Sequence, residues 1–325
     1  MIRHVAAPTS EPLEAARRAV SDHLDPTPTV TIQVRGRAVR AKLENLQVTG
    51  SFKIRGALSA VAAAHRDDPG GAVITSSAGN HGLGIAHAAK LVGVPATVVV
   101  PANASAAKVR KLRSYDIELL QHGSSYDEAQ AYALRLADER SIHYISPFND
   151  ANVIAGQATV FDEMLRQAPD LEHVVVPVGG GGLVAGVLTS RENHGRSNDL
   201  RVTGVQPEVS AAMYHVLRGT PMADVVHHPT IADGLAGGGD EGAITNELIA
   251  RYAIPLVLVP ELAIRRAVRE ALETSGLVLE GSAATPYSAI ANQLVNDVSS
   301  RIGFIASGRN ISEALLTELL SEPAT

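Results

Sequence analysis

The stretch around which the whole chain is organised is Leu43-Glu44-Asn45-Leu46-Gln47-Val48-Thr49-Gly50-Ser51-Phe52-Lys53-Ile54-Arg55-Gly56-Ala57. Its lysine, Lys53, follows a Thr-Gly-Ser turn and lies at the start of a helix predicted over Phe52 to His65. The strand predicted before this stretch carries a second lysine, Lys42, at its end. We take Lys53 as the candidate catalytic residue and examine what the rest of the chain can place around it.

Composition limits the kinds of partner. The 325 residues carry 28 Lys+Arg against 34 Asp+Glu, a net charge of −6, and a nucleic-acid partner would favour a basic surface. The absence of cysteine excludes disulfides, thiolate catalysis and cysteine-based metal sites. Neither a signal-peptide pattern nor an apolar run of about 18 residues is found. We therefore expect a soluble cytoplasmic protein that binds neither nucleic acid nor membranes.

Short apolar strands alternate with helices along most of the chain. Over residues 72–149 the order is βαβαβα at close spacing, which indicates a parallel sheet with helices on its faces. The alternation resumes in residues 150–325, which we expect to join residues 1–71 in a larger domain. The predicted fold class is α/β, with two parallel-sheet domains of three layers each. Thr29 to Val34 and Ala38 to Leu43 are predicted to form a hairpin within the larger one.

The junction Ser77-Ala78-Gly79-Asn80-His81 follows a predicted strand and opens a helix. Free backbone N–H groups at a helix N-terminus bind anions, carboxylates included. Small residues let a ligand approach the backbone closely. The alternative is an ordinary strand–turn–helix junction in which Asn80 serves as the cap.

Four consecutive glycines, Gly179, Gly180, Gly181 and Gly182, separate a valine-rich strand from a helix that begins at Leu183. Such a loop can direct successive N–H groups at one phosphate, and packing alone is not expected to require four glycines. The same residues contain Gly180-x-Gly182-x-x-Ala185, a loose dinucleotide-binding fingerprint. Glu208 lies after the next strand, where such a site has its acidic residue, so that alternative stays open.

Two further residues are candidates only in combination with these. Ser307 lies at the carboxyl end of the last predicted strand, where open α/β sheets bind ligands. Taken alone it is a helix cap, and Glu280, among small and apolar residues, is by itself a surface carboxylate. The histidines show no metal-ligand spacing. Basic residues on one predicted helix, which include Lys108 and Lys111, are interpreted as a solvated face.

Together these stretches resemble the pyridoxal-phosphate enzymes of the tryptophan synthase β-like fold (fold type II), and within them the serine/threonine dehydratases. The resemblance covers nearly the whole chain in the family's order. Its four motifs are the cofactor-lysine motif Thr49 to Ala57, the substrate-carboxylate loop Ser77 to His81, the phosphate loop Gly179 to Leu183 and the pyridine-nitrogen turn Ser307-Gly308.

The resemblance implies a role for each site residue. The expected cofactor contacts are Phe52, Lys53, Asn80, Gly179, Gly180, Gly181, Gly182, Leu183, Glu280 and Ser307. The expected substrate contacts are Ser77, Ala78, Gly79, Asn80 and His81. By the same resemblance, residues 1–71 and 150–325 form the large cofactor-binding domain, residues 72–149 form a small mobile domain, and the protein is a homodimer.

The chemistry implied is β-elimination from a 3-hydroxy amino acid such as L-threonine or L-serine. Lys53 holds pyridoxal 5′-phosphate as a Schiff base and, once displaced by substrate, takes the Cα proton. Loss of the β-hydroxyl leaves an aminoacrylate that hydrolyses to a 2-oxo acid and ammonia. A neutral Ser307 beside the pyridine nitrogen leaves that nitrogen unprotonated, which favours prompt elimination over transamination.

Three departures from the family's patterns carry expectations of their own. Racemase members have a serine where this chain has Ala78, so we expect little racemisation. Metal-binding members have acids where this chain has Gln206 and Ala212, with Ser210 between them, so we expect no such metal site. Arg309 replaces a second glycine, and we expect it to affect cofactor access or the preferred charge of the substrate.

Three alternatives remain open from the sequence. A β-replacement synthase of the same fold usually has Ser-x-Lys-Asp-Arg around its lysine, and Phe52 and Ile54 flank Lys53 differently. The hypothesis of a nicotinamide-dependent oxidoreductase rests on the glycine fingerprint and Glu208. A catalytically silent binding protein is disfavoured by the intact Lys53.

Overall fold

The computed structural model describes residues 5–237, 239–240, 242–296 and 301–322. The helices are α1 (Ser10–Ser21), α2 (Lys53–Asp67), α3 (Asn80–Val92), α4 (Ala106–Arg113), α5 (Tyr126–Arg140), α6 (Ala151–Gln167), α7 (Gly182–Asn193), α8 (Ala212–Val216), α9 (Ile244–Arg251), α10 (Glu261–Ser275), α11 (Gly281–Ala291) and α12 (Glu313–Ser321). The strands are β1 (Thr29–Val34), β2 (Arg37–Lys42), β3 (Val73–Ser76), β4 (Ala96–Val100), β5 (Glu118–Gln121), β6 (His143–Tyr144), β7 (His173–Pro177), β8 (Arg201–Pro207), β9 (Leu256–Val259) and β10 (Ile302–Ile305). Short 3-10 helices lie at Glu44–Leu46, Met222–Asp224 and Asp233–Leu235.

The larger sheet has the strand order β1-β2-β10-β7-β8-β9. The hairpin β1–β2 is antiparallel, and the other pairings are parallel. Successive residues of the central strand β7 point to opposite faces, as the period of a strand requires. Val174 and Val176 pack with α6 and α7, whereas Val175 packs with α10 and α11. This sheet is therefore the middle of three layers, as predicted.

The smaller sheet has the order β5-β4-β3-β6, and its pairings are parallel. Val73 packs with α2 and α3, whereas the next residue, Ile74, packs with α5 on the other face. The parallel three-layer arrangement confirms the predicted fold class. The boundaries of residues 72–149 as a mobile domain stay a prediction.

Two features of the smaller sheet differ from the sequence expectation. The two-residue strand β6 was not anticipated, because so short a segment has no recognisable period. Helix α3 begins at Asn80, so this residue is the first of the helix and Gly79 is its cap, rather than Asn80 as the ordinary-junction alternative had it. Within the described residues, no helix is both long and apolar enough to cross a bilayer.

A buried group of charges fixes the start of α2. The guanidinium of Arg55 donates two hydrogen bonds of 2.8 Å to Glu44 and two of 2.7 Å to Glu163. Lys42 donates to the same Glu163 carboxylate at 2.6 Å. Burial by itself raises the pKa of Glu44, but Arg55 and Lys42 outweigh it, so this pKa lies below its ordinary value. Glu44, Arg55 and Lys42 are fully buried, and the group joins β2 and the 3-10 helix that follows it to α2 and α6.

Replacing Arg55 should lower the free energy of unfolding. Arg55→Ala leaves the carboxylates of Glu44 and Glu163 buried without their main partner, and breaking a buried ion pair in this way costs about 3–5 kcal/mol. The measurement is urea unfolding followed by circular dichroism. Arg66→Ala, in the same helix but exposed, is the matched control and should change the free energy of unfolding by less than about 0.5 kcal/mol. Equal stability of the two variants would contradict this account.

Candidate active site

Lys53 is the first residue of α2, and its amine is held at a defined place. The Nζ atom donates a hydrogen bond of 2.9 Å to the carbonyl of Pro147 and lies 5.3 Å from the centre of the Phe52 ring. Burial lowers the pKa of Lys53 to about 8, although the nearby Glu280 carboxylate acts in the opposite direction. An amine with this pKa is neutral in about a tenth of molecules at pH 7, far more than an ordinary lysine, and the neutral form is the nucleophile and the base.

The turn that contains Ser307 lies directly against the segment that leads to Lys53. The carbonyl of Ser307 accepts a hydrogen bond of 3.0 Å from the backbone N–H of Phe52. Gly308 forms a β-bridge with Ser51, and Ser307 is only 2% exposed. The structure therefore brings Ser307 and Lys53 into one buried site, as predicted, because β10 ends beside the start of α2.

Arg309 is bound to the protein on both its backbone and its side chain. Its N–H donates to the carbonyl of Gly50 at 2.8 Å, and its guanidinium donates to the backbone carbonyl of Asn45. The contact with Asn45 gives this side chain a partner in the segment before Lys53. From the sequence we expected Arg309 to affect cofactor access or the preferred charge of the substrate. This contact tests neither expectation, so both stay predictions.

Asn80, Glu280 and Asn310 form a closed ring of hydrogen bonds between α3 and the elements of the larger sheet. Asn80 Nδ2 donates to Glu280 Oε1 at 2.8 Å, and the backbone N–H of Asn310 donates to Glu280 Oε2 at 3.0 Å. Asn310 Nδ2 closes the ring by donating to Asn80 Oδ1 at 2.7 Å. Glu280 is thus a buried carboxylate at the centre of the site, and Asn310 is a site residue that sequence analysis did not name.

The environment of Glu280 favours its neutral form. Burial, and then the negative charge of Asp233, raise the pKa of Glu280 to about 7, although hydrogen bonds from Asn310 and Asn80 act against the shift. The backbone around it is tight, since a Cβ on Gly308 would lie 2.5 Å from Glu280 Oε1. Burial thus brings the two pKa values towards each other, that of Lys53 down to about 8 and that of Glu280 up to about 7.

The predicted carboxylate-binding loop lies between β3 and α3. Ser77 Oγ accepts a hydrogen bond from the Gly79 N–H at 3.2 Å, which orders the turn that carries Ala78. His81 is 2% exposed, and burial followed by the positive charge of Lys53 lowers the pKa of His81 to about 3. Among the described atoms its Nδ1 is buried without a hydrogen-bond partner. A neutral His81 beside Lys53 leaves the amine as the basic group of this pair.

Two of the four glycines have packing reasons that the sequence analysis did not expect. A Cβ on Gly180 would lie 2.4 Å from the Phe148 ring, and one on Gly182 would lie 3.1 Å from Phe148. Gly181 has φ +88°, and a Cβ there would lie 2.8 Å from Thr245. Packing therefore requires glycine at Gly180 and Gly181, whereas at Gly182 a Cβ would need only a small shift of its neighbour, so packing alone does not account for all four glycines.

The same tight loop exposes backbone donors at the start of α7. The first hydrogen bond of this helix runs from the N–H of Ala185 to the carbonyl of Gly181 at 2.9 Å, and the amides before it have no intrahelical partner. Phe148 links this loop to Lys53, because the lysine binds the carbonyl of the residue before it, Pro147. Pro147, Phe148 and Thr245 carry no sequence motif, so no local signal could have identified them.

Two lysines of α4 lie on a solvent-exposed face, as interpreted from the sequence, and also contact loops at the edge of the candidate site. Lys108 forms an ion pair of 2.8 Å with Asp233, and Lys111 Nζ donates to Asn310 Oδ1 at 3.2 Å. The second contact extends the ring of Asn80, Glu280 and Asn310. The cationic end of α4 thus lies at the edge of the candidate site.

The two positions at which the family resemblance led us to look for metal-binding acids hold Gln206, whose side chain is hydrogen-bonded, and Ala212. Gln206 donates to the carbonyl of Val178 at 3.1 Å and accepts from the N–H of Tyr214 at 2.8 Å. Ser210 Oγ lies 2.8 Å from His227 Nδ1. No cluster of three His, Asp or Glu side chains suited to a metal occurs within the described residues. That this site binds no metal stays a prediction.

The site therefore defines a class: an α/β protein with a partly buried lysine of lowered pKa, a glycine loop at a helix N-terminus and a buried serine at a strand end. Comparison with known proteins gives the family. A family model described as "Pyridoxal-phosphate dependent enzyme" matches residues 20–308, and the chain belongs to this family. The residues fit that cofactor, since they supply an amine for its aldehyde and unpaired helix amides for its phosphate.

Relatives and solved structures agree with the family. The chain is 36% identical to an L-threonine ammonia-lyase of Thermotoga maritima over 97% of this chain and 78% of that protein. The crystal structure of a T.th. threonine deaminase is 31% identical, with a TM-score of 0.82 over 94% of this chain and 99% of that one. A pyridoxal 5′-phosphate-dependent aspartate racemase structure is also 31% identical, with a TM-score of 0.86 over 97% and 99%.

The raised pKa of Glu280 predicts a pH-dependent stability. The carboxyl titrates near 4.5 when unfolded and at about 7 when folded, so the folded protein binds the extra proton between these values. The stability from this group is present below pH 4.5 and is lost as the pH rises through about 7. Glu280→Gln cannot titrate, so between pH 5 and 8 the cofactor-free wild type should lose roughly 2–3 kcal/mol relative to the variant.

Thermal unfolding of both proteins at a series of pH values measures this difference. The exposed Glu208→Gln is the control and should keep a constant offset from the wild type at every pH. A constant offset for Glu280→Gln as well would show that Glu280 has an ordinary pKa.

Proposed function

We propose that this protein catalyses the pyridoxal-phosphate-dependent β-elimination of a 3-hydroxy amino acid, L-threonine or L-serine, to a 2-oxo acid and ammonia. The observation that carries the proposal is the placement of Lys53. A partly buried amine with a pKa of about 8 lies where the Ser307 turn, the ring around Glu280 and the glycine loop meet. The named activity of the Thermotoga maritima relative supports the same reaction.

Lys53 has two tasks in this proposal. Its neutral amine is the covalent attachment point of the cofactor, and after substrate binding the released amine takes the Cα proton. Pyridoxal phosphate, when bound, supplies the electron sink that makes this proton acidic. The hydrogen bond to the Pro147 carbonyl orients the Nζ atom, and burial keeps the pKa of Lys53 low enough for the amine to accept a proton near neutral pH.

The other groups hold the reactants around Lys53. The amides at the start of α7 bind the phosphate, and the loop from Ser77 to His81 binds the substrate carboxylate at the start of α3. Ser307 presents a neutral hydroxyl rather than a carboxylate to the pyridine nitrogen, so the ring stays a moderate electron sink. A hydroxyl at Ser307, in place of a carboxylate, would therefore favour elimination over transamination when the cofactor is bound.

The residue after Lys53 favours elimination over β-replacement within the family. Synthases of this fold resemble Ser-x-Lys-Asp-Arg, with an aspartate after the lysine. Here that position is Ile54, which is fully buried in the apolar cluster between α2 and α3. A carboxylate there would be buried without a partner. Because the chain belongs to the pyridoxal-phosphate family, we no longer consider a nicotinamide-dependent oxidoreductase. Glu208, which follows β8, has no role in this proposal.

We also propose that residues 72–149 move as a small domain over the larger one. The supporting observation is that several side-chain contacts between the two parts lie at the edge of the site. They are polar: Asn80 with Glu280, Lys108 with Asp233, and Lys111 with Asn310. A homodimer and the absence of a magnesium requirement belong to the same proposal. Inhibition by EDTA that magnesium reverses would contradict the second of these.

The activity test is release of 2-oxo acid from L-threonine, L-serine and 3-hydroxyaspartate, with pyridoxal phosphate present. The wild type should produce a 2-oxo acid from L-threonine or L-serine. Lys53→Ala should lower kcat by at least about a thousand-fold, because it removes both the attachment point and the base. Lys90→Ala, an exposed lysine of α3, is the control and should stay within about two-fold of wild type. No 2-oxo acid from any of the three substrates would overturn the proposal.

Ala78 predicts elimination without racemisation. An alanine methyl cannot deliver a proton to the face of Cα opposite Lys53, so L-serine should yield pyruvate and no D-serine. Ala78→Ser supplies a hydroxyl at this position and should form measurable D-serine. Chiral chromatography of the reaction mixture distinguishes the two outcomes. Formation of D-serine by the wild type at a rate comparable with pyruvate would contradict the assignment of this residue.

A further inference from the structure

Among the residues that the structure describes, Arg191 is buried without a carboxylate partner. It lies in the last turn of α7, and it is 7% exposed. One NH group donates to the carbonyl of Leu200 at 3.2 Å, and the guanidinium carbon lies 5.3 Å from the centre of the Tyr252 ring. Its Nε is buried and has no hydrogen-bond partner in the described structure. The other deeply buried arginine, Arg55, has two carboxylates.

The charged groups near Arg191 do not neutralise it. The adjacent Glu192 carboxylate accepts a hydrogen bond from the Tyr252 hydroxyl and makes no ion pair with Arg191 in the described part of the chain. Burial lowers the pKa of Arg191, although Tyr252 and Glu192 act in the opposite direction. The carbonyl end of α7 is favourable for a cation but carries only a partial charge. A buried charge compensated this weakly is rare in folded proteins.

Arg191 lines a cavity of about 330 Å³ at the amino-terminal edge of the larger sheet. Most of the wall is apolar and is formed by Leu200, Val202, Ile254, Pro255, Val257 and Leu294. Asn198 is an exposed polar residue of the lining. Lys53 and Ser307 lie at the opposite, carboxyl-terminal edge of the same sheet. The cavity is therefore separate from the proposed active site and shares none of its residues.

We propose that this cavity is a second binding site, which takes a small apolar monocarboxylate. A carboxylate supplies the acceptor that Nε lacks and the negative charge that the guanidinium lacks. One buried cation matches a single negative charge, and the apolar wall matches a short hydrocarbon body. A phosphate dianion fits less well, because the other basic residues of the lining are Arg201, which is exposed, and His173, whose Nε2 lies 2.8 Å from Thr203 Oγ1.

The proposal is tested with sodium 3-methylbutanoate as probe, by calorimetric titration of the holoenzyme. The carboxylate should bind, and the uncharged 3-methylbutan-1-ol should not. Arg191→Met should weaken binding by at least about ten-fold, because it removes the charged donor, while elimination activity stays unchanged. Arg251→Met, an exposed arginine of α9, is the matched control and should bind like the wild type. Asn198→Trp obstructs the cavity from its exposed rim without altering the core, and it should also weaken binding.

Asn80→Ala distinguishes this cavity from the carboxylate loop of the active site. The proposal expects binding of 3-methylbutanoate to survive this change. Loss of binding in Asn80→Ala would place the probe in the active site and overturn the proposal. Wild-type affinity in both Arg191→Met and Asn198→Trp, equal binding of the alcohol, or no binding of the carboxylate to the wild type would also overturn it.

Discussion

The position of Lys53 depends on the buried ion pairs of Arg55, two residues further along α2. The guanidinium of Arg55 binds Glu44 on one side and Glu163 on the other, so the segment before α2 and the helix α6 are held against the same turn. Burying these charges has a desolvation cost, and a folded protein is often just as stable when apolar residues of equal volume replace a buried ion pair. The hydrogen bonds between a guanidinium and two carboxylates require a defined geometry, however. Here they fix the start of the helix that carries the proposed catalytic amine.

Around that amine, two sheets contribute to one site through polar contacts. Glu280 accepts hydrogen bonds from Asn80, at the start of α3, and from Asn310, which follows β10. Helix α3 packs on the smaller sheet, and β10 belongs to the larger one. The same burial that lowers the pKa of Lys53 raises that of Glu280, because each charged form loses its water. The neutral amine of Lys53 is thus accessible near neutral pH, which is the condition that abstraction of the Cα proton in the proposed elimination needs.

Much of the fold could be predicted from the sequence, because strands buried on both faces form apolar runs between amphipathic helices. The ligand-binding turns could be located for a related reason: parallel strands end at one edge, so motifs after separate strands meet there. Contacts between distant side chains have no local signature. The packing of Gly180 on Phe148 and the reach of Lys111 to Asn310 therefore emerged only from the structure. The strand His143–Tyr144 was missed because two residues show no period.

Peptide mapping after borohydride reduction of the holoenzyme tests the central claim most directly. The account predicts a yellow protein whose colour and activity are lost on reduction, and a pyridoxyl group located by mass spectrometry on Lys53. The lysine at the end of β2, Lys42, is bound to Glu163 in the core and should be unmodified. A pyridoxyl group on another lysine, or a protein that retains no cofactor after reduction, would contradict the account.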